Sequence, residues 1–362
     1  MSEFRISEKA EKAGLLMEGA LAGDRTDKAK FFEGLTSGEI TPALLQAPLT
    51  ARVIATYEGL EESWAGLAER HVVDDFELES VYRFAFDNET QILEKNAGKT
   101  RVAGTLPRIG EMDEYQSFGF SSSNEGFRAY KSGIKFGLSW ESVINGRRLN
   151  LIERATSKMA RMARDTEVAE VVGQYVTATG INTANIKAAN VVTLNPVLSL
   201  ASLQTALAQA GAQKVNGHLA SVGSQFTLVV PPALAATARN LLSITEITTQ
   251  TGTGSGAVIT KTGNPVAGLI TLKVMDSIMT INSGAGAYWF LVPNLALTEG
   301  YRPELWFVRG EETPKFFVKS TTMQDPSEGD FDHDAWDTKL RATASGVCTG
   351  VLGIMASNGT GS

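Results

Sequence analysis

The chain has almost no cysteine: Cys348 is the only one in 362 residues. An intrachain disulfide is therefore excluded, and so is a zinc centre built on cysteine ligands. A lone thiol in a late apolar stretch reads as a small hydrophobic residue of a strand, and the scarcity fits synthesis in a cytosol. Histidine is nearly as rare. His71, His218 and His333 are scattered, and none sits in a catalytic motif with a serine, a cysteine or a carboxylate. Each reads as a surface position or a satisfied core position. No apolar run approaches the ~20 residues that a membrane span requires, and Met1 to Leu15 alternates charge without the apolar centre of a signal peptide. The expectation is a chain that stays in solution or leaves it only by assembling, with no membrane partner.

A basic excess is also missing. Lysine and arginine number 33 against 40 aspartates and glutamates, a formal charge of −7, whereas a protein that grips nucleic acid shows a basic face for the phosphates. That balance argues against such a role for the molecule as a whole and leaves room only for a local basic patch. The content of 43% hydrophobic and 20% charged residues is ordinary for a globular protein. The length exceeds the roughly 250–300 residues that one core organises, so two lobes are expected.

The chain supplies its own punctuation. Residues 1–40 are charge-rich and partly helical, with short apolar clusters at Leu15-Leu16 and Phe31-Phe32 and no evident core; they read as an arm or a frayed terminus. Thr41-Pro42 opens a helix with proline at its first position, and Leu44, Leu45, Leu49, Val53, Ile54 and Tyr57 continue it at helical spacing, with a break expected near Pro48. Strand signals follow at Val72-Val73 and in the alternation of Phe76, Leu78 and Val81. From Thr100 to Leu138 the chain is rich in Gly and Ser, with Tyr115, Phe118, Phe120, Phe127 and Tyr130 at short intervals. Ser121 to Gly126 reads as the turn of a long β-hairpin. Such a hairpin is marginal alone in water, so its surface needs a neighbour.

The clearest helix is expected over 151–176. Ile152, Ala155, Met159, Met162, Ala163, Ala169, Val172 and Val176 form an apolar stripe, with a capping-box-like start at Asn150 and Glu153. Lys158, Arg161, Arg164, Glu167 and Glu170 are assigned to the opposite, polar side. Beyond the linker Leu194-Asn195-Pro196, a helix is expected over 200–210. A buried strand is expected over Phe226 to Val230, then a helix over Ala233 to Leu242. The Thr/Gly/Ser-rich segment Thr248 to Thr262 reads as a flexible loop. Strands are expected at Leu269–Val274, Ser277–Ile281 and Ala287–Leu291, and the end reads as a polar Gly/Ser tail.

Two features invite a chemical reading. Gly252, Gly254 and Gly256 suggest a phosphate loop, but no strand-to-helix junction surrounds them, so flexibility explains them better. The acidic residues Asp325, Glu328, Asp330, Asp332, Asp334 and Asp337 fail the calcium-loop spacing and read as a solvated turn. No catalytic, cofactor or metal residues are assigned. An enzyme of two α/β lobes remains a distant alternative.

The order of these features resembles a known family. Phe136, Leu138, Ser139, Ile144 and Asn145, leading into the long helix, are similar to the hairpin exit and spine helix of tailed-bacteriophage major head proteins of the prophage and Mu-like branch. The family follows the asparagine with acidic residues, where this chain has Gly146-Arg147-Arg148. Looser similarity runs through Leu35-Thr36-Ser37, Tyr57-Glu58, Trp64, Asp74-Asp75-Phe76, Phe226 to Leu242, Tyr288 to Leu291, Phe307 to Glu312, Lys339-Leu340-Arg341 and Gly346-Val347.

The resemblance implies an α+β chain with the Hong Kong 97 capsid fold. Its parts would be an N-terminal arm and opening helices at 1–60, and a peripheral domain at 61–97 and 138–195 carrying the spine helix. An E-loop would span 98–137 and an axial domain 196–301. A peripheral return would cover 302–341, and the last strand and tail 342–362. It implies a virion protein that self-assembles as hexamers and pentamers into an icosahedral head, enclosing DNA without sequence-specific binding. Portal, scaffolding and decoration proteins are partners it leaves open. An encapsulin-like compartment shell is the nearer alternative. Some relatives crosslink a lysine to an asparagine; Lys131 and Lys135 lie beside the hairpin, but the sequence locates no partner for either. Large proteolytic trimming of the N-terminal segment is not expected. Within the E-loop, Tyr115, Phe118, Phe120, Phe127 and Tyr130 are the expected packing residues. Replacing Phe118 and Phe120 together with serine is predicted to leave a folded subunit by circular dichroism and to impair shell assembly under the electron microscope.

Overall fold

The computed structural model describes residues 7–22, 24–37, 39–40, 42–86, 120–139, 149–215, 218–219, 223–251, 258–297, 301–319 and 335–361. Three helices come first: α1 (Glu8–Leu21), α2 (Arg25–Ser37) and α3 (Pro42–Glu58). Strands β1 (Glu69–Val73), β2 (Glu79–Phe86), β3 (Phe120–Phe127) and β4 (Ser132–Ser139) lead to the long helix α4 (Leu149–Val172). The short ladders β5 (Val176–Thr177) with β6 (Gly180–Ile181) and β7 (Lys214–Val215) with β8 (His218–Leu219) flank α5 (Leu200–Gly211). Then come β9 (Phe226–Val230), α6 (Ala235–Ser243), β10 (Glu246–Thr251), β11 (Val258–Gly263), β12 (Ile270–Val274) and α7 (Ser277–Ile281). Strands β13 (Trp289–Pro293), β14 (Pro303–Val308), β15 (Lys315–Val318), β16 (Ala335–Ala342), β17 (Ser345–Cys348) and β18 (Met355–Ser357) complete the mixed α+β chain.

Helix α4 is the pillar. It contains four alanines and no glycine or proline, so propensity favours it throughout, and its 24 residues span about 36 Å. It starts at Leu149, which puts Asn150 inside the first turn and not ahead of it. It ends at Val172, four residues before the expected limit. Gly173 follows, and its carbonyl accepts a hydrogen bond from Asn182 Nδ2 at 2.8 Å.

Two separate cores grip the two halves of this helix. Met159, Ala160 and Ala163 pack with Met17 and Phe31 from the first two helices, with Leu45, Leu49 and Val53 of α3, and with Phe316 and Leu340 of a three-stranded sheet ordered β15-β16-β4. The expectation of a coreless N-terminal segment is thus overturned. The apolar residues of α1 and α2 are few, but Met17 and Phe31 recur on the inner faces and are fully buried. Helix α3 also runs unbroken through Pro48. At that proline α1 comes close, since a side chain at Gly14 would meet Pro48 Cβ at 3.1 Å.

The other half of the pillar, with Val171, Val172 and Tyr175, lies against Phe290, Val292, Leu305, Phe307 and Trp64. Here a four-stranded sheet, ordered β12-β9-β13-β18, is buried on both faces. Val229, Phe290 and Val292 point toward the pillar, while Leu228, Val230, Trp289 and Leu291 face α5 and α6. Strand β18 pairs antiparallel with β13, and Met355, Ala356 and Ser357 are wholly buried, so the stretch read as part of a polar tail is core. A third sheet, β1-β14-β17, pairs β1 parallel to β14.

Three further expectations are corrected. Ser121 to Gly126 is no turn: these residues lie within β3, which pairs along its whole length with β2, from Glu79 opposite Phe127 to Phe86 opposite Phe120. Isolated glycine and serine are tolerated in a two-stranded ladder, so composition alone misplaced the turn. Thr248 to Thr262 contains a hairpin, β10 with β11, because threonine, isoleucine and valine favour extended backbone. Ser277–Ile281 is a short helix following Asp276, not a strand.

At Gly346 the backbone of the third sheet comes close to the backbone of the pillar. A Cβ at Gly346 would lie 2.3 Å from the backbone oxygen of Glu170, and the Gly346 N–H donates to Glu170 Oε2 at 3.0 Å. Gly346→Ala is expected to cost about 2–4 kcal/mol by forcing strand and helix apart. Gly310→Ala, at φ +76° with nothing within 4 Å, is expected to cost only about 1–2 kcal/mol. Chemical denaturation of the two variants measures the difference.

Candidate functional site

The residues assigned by sequence to subunit contact fall into two groups. Tyr115 and Phe118 lie outside the described residues, as do Ile144, Asn145, the glycines 252–256 and the acidic stretch 325–334. Phe120 ends the β2–β3 ladder opposite Phe86. Phe127 turns inward: its ring meets Trp306 edge-on at 6.0 Å, beside Val73, Ala129 and Val347. It roots the ladder in the third sheet. Tyr130 is 60% exposed, with the Arg128 guanidinium 5.4 Å from its ring centre. Leu78, 66% exposed, sits against Gly126 at the same root. The foot of the ladder therefore presents an apolar and an aromatic side chain to solvent.

On the pillar, Met159 and Val172 are buried, whereas Ala155 and Met162 are half-buried. Ile152 lies in the first turns of α4, where the helix backbone is described and the side chain is not. The apolar stripe read from sequence is thus chiefly a structural seam.

Sequence reasoning missed what sits in the middle of that seam. Arg164 and Glu167, assigned to the polar side, are both buried, at 6% and 2% exposure. Glu167 Oε2 accepts from Trp64 Nε1 at 2.9 Å and from Arg164 Nη1 at 2.8 Å, and its other oxygen accepts from the Tyr57 hydroxyl. Arg164 also donates to Glu62 Oε1 at 3.1 Å and to the Tyr57 carbonyl at 3.3 Å. Its guanidinium lies 4.1 Å from the centre of the Tyr57 ring. Burial, followed by the Glu167 charge, drives the Tyr57 phenol far above its ordinary pKa. Burial alone would lower the Arg164 pKa, but Glu167, Tyr57 and Glu62 outweigh it and hold the side chain charged. The signal available in sequence was the i, i+3 spacing of opposite charges on one helix, which also fits an exposed pair.

This cluster has no chemistry to offer a substrate, because both carboxylate oxygens are occupied within the fold. One depression, of about 580 Å³, is bordered by Gln209, Gln213, Lys214, Tyr301 and Leu352. Among the described residues its lining includes no carboxylate, thiol or imidazole. Among the described residues no group of three or more His, Cys, Asp or Glu is placed to hold a metal ion, and no helix is long and apolar enough to cross a membrane.

A protein-family model described as phage capsid protein matches residues 124–350. That stretch runs from within β3 to just past β17 and contains the whole pillar. No curated protein matches the chain. Among solved structures, a virus-like particle from Pyrococcus furiosus aligns with 10% identity and a TM-score of 0.45, covering 85% of this chain and 97% of that one. One of Mycobacterium phage Adephagia aligns with 11% identity and a TM-score of 0.47, covering 82% and 89%. An encapsulin complex from Synechococcus elongatus aligns with 9% identity and a TM-score of 0.46, covering 83% and 88%.

The buried pair generates a prediction. Glu167→Gln removes the counter-charge of a buried guanidinium and is expected to cost about 3–5 kcal/mol. The double variant Arg164→Met/Glu167→Leu is expected to recover much of that loss, because no charge is then left unpaired. Denaturant midpoints of the three proteins check both statements.

Proposed function

We propose, from the premise that this chain belongs to the phage capsid protein family, that its copies close as hexamers and pentamers into an icosahedral head around double-stranded DNA. The observation that carries the reading is the family match over 124–350, more than half of the chain. The protein is a shell subunit, and we take its role to be structural, with assembly in the cytoplasm of the host bacterium.

The fold is compatible with the Hong Kong 97 plan expected from sequence. In that assignment the β2–β3 ladder is the root of the E-loop, which moves its limbs to 79–86 and 120–127. The four-stranded sheet with α5 and α6 is the axial domain, and the pillar with the β15-β16-β4 sheet belongs to the peripheral domain. Association energy then comes from many modest contacts between copies, each burying apolar surface worth about 25 cal/mol per Å². Leu78 and Tyr130, exposed at the root of the ladder, are two side chains such contacts would cover.

Negative-stain microscopy of the purified chain at rising concentration is the test. Closed shells of uniform diameter are the expected result, and a protein that stays monomeric throughout would refute the reading. DNA that resists nuclease until the shells are disrupted is expected in shells purified from infected cells for a head, and a protein cargo would instead mark a compartment shell.

A further inference from the structure

The sheet ordered β15-β16-β4 buries one face, and among the described residues no other element packs on the opposite one. Its inward residues, Phe316, Val318, Leu340 and the half-buried Phe136, belong to the core beneath the N-terminal helices. Four residues of the opposite face, Lys135, Lys315, Lys339 and Arg341, are cations. Lys135, Lys339 and Phe317 lie side by side across the three strands, and Arg341 opposite Lys315 forms the next row. The Phe317 ring lies beneath two of them, with Lys339 Nζ at 5.0 Å and the Arg341 guanidinium at 5.1 Å from its centre.

Among the described residues two carboxylates share this face, and both are sunk into it. Asp337 pairs with Lys135 at 2.7 Å, and its side chain is 12% exposed against 67% for the lysine. Glu311 pairs with Lys315 at 3.1 Å and also with Arg341, and is 18% exposed against 42% and 36% for its partners. The cationic heads therefore stand outermost, around a shallow depression of about 400 Å³. This face departs from a chain whose formal charge is −7.

We propose that this face binds the phosphate backbone of duplex DNA, an inference that rests on the reading of the chain as the wall of a DNA-filled head. On β16, Lys339 and Arg341 lie two residues apart, about 6.7 Å, and Lys135 and Lys315 flank them on the neighbouring strands. Four cations held together on one face suit a polyanion. An interface with folded protein is instead depleted in charge at its centre and built on exposed rings or aliphatic anchors, whereas the one ring here is already covered by Lys339 and Arg341. With no pocket to read base edges, binding would be independent of sequence and sensitive to salt.

The test is fluorescence anisotropy of the full chain with a labelled mixed-sequence duplex between about 50 and 200 mM salt. Lys135→Gln/Lys339→Gln is expected to lower the slope of log K against log salt by about two and Lys339→Gln by about one. Lys261→Gln, on the remote β10–β11 hairpin, is expected to leave the slope unchanged. Circular dichroism confirms that each variant is folded, as expected for exposed side chains. Salt-insensitive binding, or an unchanged slope in the double variant, would overturn the proposal. So would tighter, equally Lys339-dependent binding of polyglutamate, which would assign the face to an acidic protein partner. Microscopy of the same preparations separates the two readings. Shells without this DNA binding refute the inference alone, whereas a wild-type chain that forms no shells refutes the capsid reading.

Discussion

The arrangement of this chain depends on a carboxylate taken out of water. Glu167 sits in the last third of the pillar helix, where the core around the N-terminal helices ends and the core around the four-stranded sheet begins. Desolvating it is costly unless its oxygens are satisfied. They are: a phenol, an indole and a guanidinium converge on them, two from the end of α3 and the segment beyond it, and one from a turn earlier on the pillar. The pair is weak evidence for net stability, since an apolar replacement can do as well. Its effect is on registry. Only one placement of α3 along the pillar lets Tyr57 and Trp64 reach the same carboxylate.

From that registry the rest follows by packing. Once α3 is fixed, its apolar face covers Met159 and Ala163, and the first two helices close over it. The β15-β16-β4 sheet can then bury its inner face. At the other half of the pillar, Gly346 and the Tyr175 hydroxyl hold the third sheet and the segment at Leu67 against the helix. The four-stranded sheet, apolar on both faces, is sandwiched between the pillar's end and its own pair of helices.

Much of this was legible. The pillar was plain because alanine, methionine and valine recur every three or four residues over six turns, and Phe226 to Val230 was plain because an apolar run stops at a proline pair. What escaped had a common physical origin: composition reports average environment, and the exceptions are decided by a distant partner. Arg164 and Glu167 read as solvent-facing because nothing local announces Tyr57 and Trp64. Met17 and Phe31 seemed too sparse for a core until a third helix supplied the rest of it. Serine and glycine at 121–126 looked like a turn because the strand that pairs with them ends more than thirty residues earlier. The basic face was hidden because its cations come from three strands far apart in sequence, within a chain of opposite net charge.

The parallel pairing of β1 with β14, Glu69 opposite Glu304 and Val73 opposite Val308, has a consequence in time. The sheet that anchors the ladder joins β1 to a strand more than two hundred residues away, so that loop-closure entropy must be met before β1 can pair with β14. A ribosome must therefore deliver most of the chain before that anchor exists. Until then the ladder has no fixed base. The order of pairing is thus written into the spacing of the strands: β14 can meet β17 over a short loop, whereas the foot of the ladder is secured only when the two ends of the chain have met.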